Sequence, residues 1–285
     1  MNKYVAITPA RDEEKFLPGL LDSMLQQSVL PERWIVIDDG STDSTPQILD
    51  KAASAHPWIE VHHLSHDRPR AEGGESIIMQ FLPREVWERY DYILRLDADI
   101  SFRSEFVKSL LAEFARDPKL GIAGPTLYEP QGAEWKEIRS PAFHTRGAAK
   151  MYSRICFASI GGLENGLGWD TIDEARAMMM GLRSRAFPHI RAHHHRPQGA
   201  AGGLWKSRMA AGLAAYKIGY SPLFILARAI RRSLEPPFPF GGILLLAGYV
   251  QAGWQGTQRI SSPEVVKFVR QQQVRRLIGM DSSWR

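Results

Sequence analysis

Apolar and polar positions fall into alternating blocks along the first half of the chain. "YVAIT" (4–8), "WIVID" (34–38), "WIEVHHL" (58–64), "YILRLD" (92–97) and "LGIAGP" (120–125) are apolar-rich runs of strand length. Between them the period lengthens. Phe16, Leu17, Leu20, Leu21, Met24 and Leu25 recur at helical spacing, with Asp12 expected to cap, Glu13 and Glu14 in the first turn and Pro18 near the start. "DGSTDSTPQILDKAASA" reads as a turn into a helix capped by Thr45, with Pro46 at its first position. "GESIIMQFLPREVWERY" reads as a helix broken at Pro83, and "SEFVKSLLAEFARD" as an amphipathic one. Repeated strand–helix order predicts an α/β fold: a mixed, mainly parallel sheet flanked by helices. In such sheets ligands bind at the carboxyl ends of the strands.

The second half is less regular. "GWDTIDEARAMMMGL" predicts a helix behind a glycine-rich lead, and "FPHIRAHHHRP" an extended segment. "GLWKSRMAAGLAAYKIGY" predicts another helix. "FPFGGILLLAGYVQAGW" is glycine-rich and short for a membrane span, so a hairpin or interfacial element is expected there. "PEVVKFVRQQQVRRLIG" predicts a basic amphipathic helix with Val265, Val266, Val269, Val274 and Leu277 on its apolar side. The expected division is a domain over 1–200, with a nucleotide-binding half (1–125) and an acceptor half (126–200), followed by a basic helical extension over 201–285.

Composition narrows the function. Cys156 is the sole cysteine, so no intrachain disulfide can form, which fits a reducing cytosol. The start, "MNKYVAITPARDEE", lacks the apolar core of a signal peptide. The expected location is cytoplasmic, at the inner face of the cell membrane. From Gly199 onward there are 12 Lys/Arg and 3 Asp/Glu, or +9, which leaves −4 of the +5 total for the preceding residues. Such a basic segment attracts nucleic acid, anionic membranes or phosphorylated ligands. Interleaved aromatics and recognised modules are missing, so nucleic acid is not expected as a partner. Arg231, Arg232, Arg275 and Arg276 beside apolar runs predict peripheral contact with an anionic membrane.

Three polar clusters fall at predicted strand ends: "PARDEE", "DDGSTDS" and "DAD". Asp97 and Asp99 place two carboxylates one residue apart where a buried strand ends. Repulsion and desolvation oppose that arrangement unless a cation sits there. Hard carboxylate oxygens suit Mg²⁺ or Mn²⁺, held together with substrate phosphates. Asp38 and Asp39 end the second strand, Gly40 permits the turn, and a carboxylate there can accept from a nucleobase or ribose.

Taken in order, "ITPARDEE", "IVIDDGSTDST" and "LRLDADI" resemble family 2 glycosyltransferases of GT-A fold, over roughly Lys3 to Arg196. The resemblance implies a nucleotide-sugar donor (UDP favoured), a divalent metal (Mn²⁺ or Mg²⁺) and inversion at the anomeric carbon. It places the nucleotide near Pro9, Ala10, Arg11, Glu13, Asp38, Asp39, Asp97 and Ala98, and the metal on Asp99. Arg68 and Arg70, in "HDRPRAEGGES", would lie beside the nucleotide. His195 is preferred over His194 as a further metal ligand. Arg196 would hold the diphosphate, with Lys206 and Arg208 in a flexible lid.

The family's base is a carboxylate before a helix carrying Arg and then Gly. Matching Arg176 and Gly181 puts Asp170 at that position, with Trp169 where the family has Glu. Matching Asp173-Glu174 by eye is the alternative. Asp170 could instead be only a helix cap, and Asp173, one turn on, would bind the acceptor. The acceptor implied is a glycan or a lipid-linked one, in cell-surface polysaccharide or glycolipid synthesis. The processive synthases' Gln-x-x-Arg-Trp motif is missing, which argues for single addition. A sugar nucleotidyltransferase would need a glycine-rich loop where "TPARDEE" stands. A non-catalytic nucleotide-sugar binder is the other alternative.

Overall fold

The computed structural model describes residues 3–65, 75–197, 203–234, 237–259 and 262–284. Four parallel strands form the first half of the sheet: β1 (Tyr4–Ala10), β2 (Arg33–Asp38), β3 (Ile59–His63) and β4 (Tyr92–Leu96). Their connections carry α1 (Leu17–Leu25), α2 (Thr45–Ala55), α3 (Glu75–Phe81) and α4 (Arg84–Trp87). The break between α3 and α4 falls at Pro83, as its missing N–H requires. Val5, Ile7, Ile35, Ile37 and Ile93 face one side of the sheet, and Tyr4, Ala6, Trp34, Val36 and Leu94 face the other. Helices covering both faces explain why these strands are apolar throughout.

The remaining strands are β5 (Ile100–Phe102), β6 (Leu120–Gln131), β7 (Glu134–Glu137), β8 (Ala149–Ser153) and β9 (Arg183–His194). The sheet order is β3-β2-β1-β4-β8-β6-β9-β5, with β7 paired to β6. Within it β8 is antiparallel to both β4 and β6, and β5 is antiparallel to β9. Laid flat, four strand spacings would separate β4 from β5 by about 19 Å. The link from Leu96 to Ile100 reaches only about 14 Å. The sheet therefore has to curl. The 12-residue strands β6 and β9 shift register between Pro125 and Thr126, which divides their pairing into two stretches. The Asp97–Asp99 turn links β4 to β5 and so closes the seam between the two ends of the curled stretch.

Several local expectations change. Asp12 does not cap α1, which begins behind Phe16. Its backbone is left-handed (φ 55°) and its carboxylate accepts from the Thr42 backbone N–H and hydroxyl, tying the β1 end to the β2 loop. Ser44 rather than Thr45 occupies the N-cap of α2, while the Thr45 hydroxyl accepts from the Glu13 N–H. The two loops thus satisfy each other's donors, which local propensity does not encode.

Helices α5 (Phe106–Arg116), α6 (Arg154–Ile160) and α7 (Trp169–Met179) lie among the later strands, and α8 (Gly203–Ile218), α9 (Pro222–Arg232), α10 (Phe240–Trp254) and α11 (Pro263–Leu277) form the C-terminal part. The stretch expected as a hairpin or interfacial element is a single helix, α10. Its glycines serve contact rather than turning. A methyl on Gly212 of α8 would lie 2.1 Å from the Leu245 carbonyl oxygen, and one on Gly248 would lie 2.1 Å from that of Met209. Gly212→Ala is expected to cost about 1–3 kcal/mol by overpacking this crossing. Scanning calorimetry checks it, since an unchanged Tm would mean the two backbones do not touch.

On α11, Val265, Val266 and Val269 are buried as expected, but Val274 and Leu277 are exposed. Gln272 and Gln273 occupy the buried face instead. Gln273 accepts from the Ser221 N–H, and Gln272 from the Ser283 N–H and the Ser282 hydroxyl. Residues of α7, α8, α9 and α11 share one core with Phe143 and Trp284 (Ile172, Ala175, Ala215, Ile218, Ile225, Val265 and Val269), so the C-terminal helices brace the helix that carries Asp170.

Candidate active site

The β4–β5 turn delivers Asp97 and Asp99, and the pairing of Ile100 with His194 lays the end of β9 against it. One ligand atom from each of Asp97, Asp99 and His194 lies within 4.8 Å of the others. His194 Nε2 is 3.3 Å from Asp99 Oδ1, and its Nδ1 is 3.1 Å from Glu129 Oε1. Two carboxylates and an imidazole backed by a third carboxylate form a donor set suited to a divalent cation. Burial pushes the Asp99 carboxyl up, but His194 and the Arg196 charge outweigh it and hold Asp99 below its usual range. Burial lowers His194, yet its bonds to Asp99 and Glu129 raise it to about 9. Asp97 is steadied by Arg95 at 2.6 Å. That guanidinium also donates to the Gly147 carbonyl and stacks over Trp169, 5.0 Å from the ring centroid, so it joins the Asp97–Asp99–His194 cluster to the start of α7.

At the neighbouring strand ends Ala10 pairs with Asp38. Asp38 is consumed by the fold: it accepts from the Ser41 N–H at 2.9 Å and meets His63 Nδ1 at 2.8 Å, around a turn in which Gly40 takes φ 71°. Asp39 differs. Its Oδ2 is 3.6 Å from Arg11 Nη1, whereas its Oδ1 is buried with no hydrogen-bond partner among the described residues. A buried acceptor left open costs about 1–3 kcal/mol, so it marks a place for a ligand donor. Glu13 receives a hydrogen bond from Arg196, whose Nε lies 3.6 Å from Asp99 Oδ2. Burial pushes Glu13 up to about 7 against the pull of Arg196.

Asp170 sits in the first turn of α7. The N-cap is Gly168, so Asp170 is not a capping residue. Some 27 % of its side chain is open to solvent, and it lies 3.9 Å from His144 Nε2. Burial raises its carboxyl, but the charges of His144, Lys150, Arg146 and Arg95 outweigh that and keep it below the usual carboxylate range. An ionised, accessible carboxylate at a helix N-terminus is what a general base requires.

Asp173 and Glu174 point away from solvent. Lys150, fully buried on β8, is 2.9 Å from Asp173 Oδ1 and 3.2 Å from Glu174 Oε1. Tyr152 donates to Asp173, while the Thr145 N–H and hydroxyl donate to Glu174 at 2.7 and 2.8 Å. Burial would lower the Lys150 ammonium, but the surrounding carboxylates raise it above the usual lysine range. Acceptor binding by Asp173, and the alternative of Asp173-Glu174 as the base pair, are therefore corrected: these carboxylates lock α7 to β8.

His195 is corrected as well. Its ring turns to Ser101 Oγ at 2.7 Å and to Trp135, and its backbone N–H donates to the Asp99 carbonyl, so His194 is the ring that joins the cluster. Lys206 and Arg208, expected in a flexible lid, lie on the helix α8. Arg68 and Arg70 lie outside the described residues. Arg176 pairs with Glu164 at 2.6 Å. Arg95, Glu129, His144 and Lys150 escaped the sequence reading. A cation in the middle of a buried run, as in "YILRL" and "AKMYS", was a usable signal for Arg95 and Lys150.

Comparison with known proteins agrees with this geometry. Two curated relatives are 4,4'-diaponeurosporenoate glycosyltransferase of Staphylococcus haemolyticus (31% identical, 41% of this chain, 29% of the relative) and poly-beta-1,6-N-acetyl-D-glucosamine synthase of Staphylococcus aureus (28% identical, 39% and 25%). The matched region thus spans less than a third of either relative's length. Among solved structures, the mannosyltransferase PcManGT from Pyrobaculum calidifontis in complex with GDP-Man and Mn²⁺ matches with TM-score 0.59 at 19% identity, over 98% of this chain and 76% of that one. S. aureus TarS in complex with UDP-GlcNAc gives 0.55 at 15%, over 89% and 73%. These likenesses show a GT-A fold. The Glycosyl transferase family 2 profile matches residues 5–167, from the first strand through Asp97 and Asp99 to the lead of α7, and the chain belongs to that family.

Proposed function

We propose that the protein transfers a sugar from a nucleoside-diphosphate sugar to an acceptor hydroxyl, with inversion, using Mn²⁺ or Mg²⁺. The Asp97–Asp99–His194 cluster, coupled through Arg95 and Trp169 to the helix bearing Asp170, is the observation that carries this reading. Those three residues would hold the cation, which neutralises charge on the departing diphosphate. The open Asp39 oxygen accepts from the base or ribose, with Arg11 orienting it. Arg196, bordering Asp99, is released from Glu13 to meet phosphate oxygens. Asp170 takes the acceptor proton as its oxygen bonds to the anomeric carbon and the bond to diphosphate breaks. A single displacement of this kind inverts the centre.

The donor is read as a UDP-sugar, and the product as part of a cell-surface polysaccharide or glycolipid; of this, the name of one curated relative, poly-beta-1,6-N-acetyl-D-glucosamine synthase, supports a polysaccharide product. Calorimetric titration of UDP, GDP and dTDP with and without Mn²⁺ tests the reading. Metal-dependent binding of one nucleotide is expected; heat-silent titrations under every condition would overturn it. Glu129→Gln, which loosens the His194 ring, is expected to weaken Mn²⁺-dependent binding about 10–100-fold. An affinity equal to the wild type would remove Glu129 from the site.

A further inference from the structure

The four C-terminal helices expose far more apolar surface than they need for packing. On α9, Leu223, Leu226 and Ile230 recur at i, i+3 and i+7, opposite the buried Ile225 and Ala229, and all three are exposed, Ile230 by 67 %. Leu234 and Phe238 continue the exposed series beyond the helix. On α10, Phe240, Ile243, Val250 and Trp254 are exposed, opposite the face that buries Gly241, Gly242, Leu245, Gly248 and Ala252. Trp254 is 92 % exposed. The sequence of α10 contains no charged residue. Gly242 approaches the Ala229 carbonyl, so the two helices form one hairpin. Patches of this size are rare on surfaces that face only water.

We propose that the α9–α10 hairpin is a docking surface for an anionic lipid bilayer. Charge decides between a bilayer and a second copy of the chain. Arg231 and Arg232 end α9 beside the apolar stripe, and Arg276 lies close enough to Arg231 and Arg228 to feel their like charge. A twofold contact through this face would bring these cations towards their own copies, and the +9 segment from Gly199 onward offers few acids to meet them. An anionic headgroup layer supplies the missing charge, the acyl region takes the apolar stripe, and Trp254 suits the boundary between them. Among the described residues no helix is long and apolar enough to cross a membrane. The 15 residues of α10 rise about 22 Å against a core of about 30 Å, so the hairpin lies on the surface rather than through it.

This placement bears on the acceptor. Ile225 of α9 shares a core with Ile172 and Ala175 of α7, the helix that carries Asp170, and Arg146 feels the charges of both Asp170 and Arg232, so the basic end of α9 adjoins the site. A hairpin seated on lipid presents Asp170 to an acceptor hydroxyl held at the headgroup level, which names a lipid-linked acceptor. That consequence rests on the sugar-transfer reading; the docking does not.

Flotation of the full chain with phosphatidylcholine vesicles, with and without phosphatidylglycerol, tests docking directly. Binding to the anionic vesicles is expected, with a blue shift in tryptophan emission that Trp254→Phe diminishes. Leu226→Glu combined with Ile230→Glu is expected to lower binding about tenfold or more, and Arg231→Ala to weaken only the phosphatidylglycerol-dependent part. Both glutamates replace exposed side chains, so Tm and nucleotide binding should hold. Failure of the wild type to float, floating of the glutamate variant like wild type, or self-association of the lipid-free protein that the same variant abolishes would each overturn the proposal. Flotation without nucleotide binding would leave docking standing and remove the sugar-transfer reading alone.

Discussion

Replacing Asp99 with asparagine is expected to slow sugar transfer about 10³-fold or more and to remove the metal-dependent part of nucleotide binding. Asp99 is buried between His194 and Arg196, at 3.3 and 3.6 Å, so its charge organises both partners. Asparagine keeps the shape and deletes the charge. The His194 ring loses the carboxylate that, with Glu129, keeps it raised to about 9, and the cluster loses one of its two anionic ligands. Several kcal/mol of leaving-group stabilisation go with it, and about 4 kcal/mol corresponds to 10³ in rate. Single-turnover transfer assays beside Mn²⁺ titrations read both effects. Wild-type metal dependence in this variant would place the cation elsewhere.

Asp170→Asn should behave differently. Transfer is expected to fall about 10²–10⁴-fold while nucleotide affinity stays the same, because the proposed role of the residue is to meet the acceptor proton and not the donor. Gly168 caps α7, so stability should hold too. The pH profile provides the sign. Four cationic groups depress the Asp170 pKa, so the base is ionised at neutral pH, and the acid limb it sets lies below the ordinary carboxylate value of about 4. The same depression makes its contribution to stability present above that value and lost as pH falls through the lower folded one. A variant that lost donor affinity in proportion to rate would show that Asp170 belongs to nucleotide binding.

How much of this was legible in the chain depends on the range of the interactions. The first four strands and their helices follow from local apolar period, and the end of each strand is where the chemistry stands. Asp97 and Asp99 declare themselves because two carboxylates at the end of a buried strand need a cation. The choice between His194 and His195 was not legible: it turns on the register of a three-residue strand, β5, against a partner more than ninety positions away. Asp173 and Glu174 look catalytic in sequence because their partners, Lys150, Tyr152 and Thr145, lie on the far side of an antiparallel insertion that no periodicity marks. In α10, glycines that read as turns are spacers for helix contact.

The curl that places the Asp97–Asp99 turn at the seam of the sheet has a consequence for assembly. The two aspartates stand at positions 97 and 99 while His194 ends β9, so the candidate cation site is complete only when β9 lies beside β5. A fragment ending after β6 would carry Asp97 and Asp99 without His194 and is expected to bind Mn²⁺ more weakly than the full chain. A cation held by all three would tie together segments far apart along the chain.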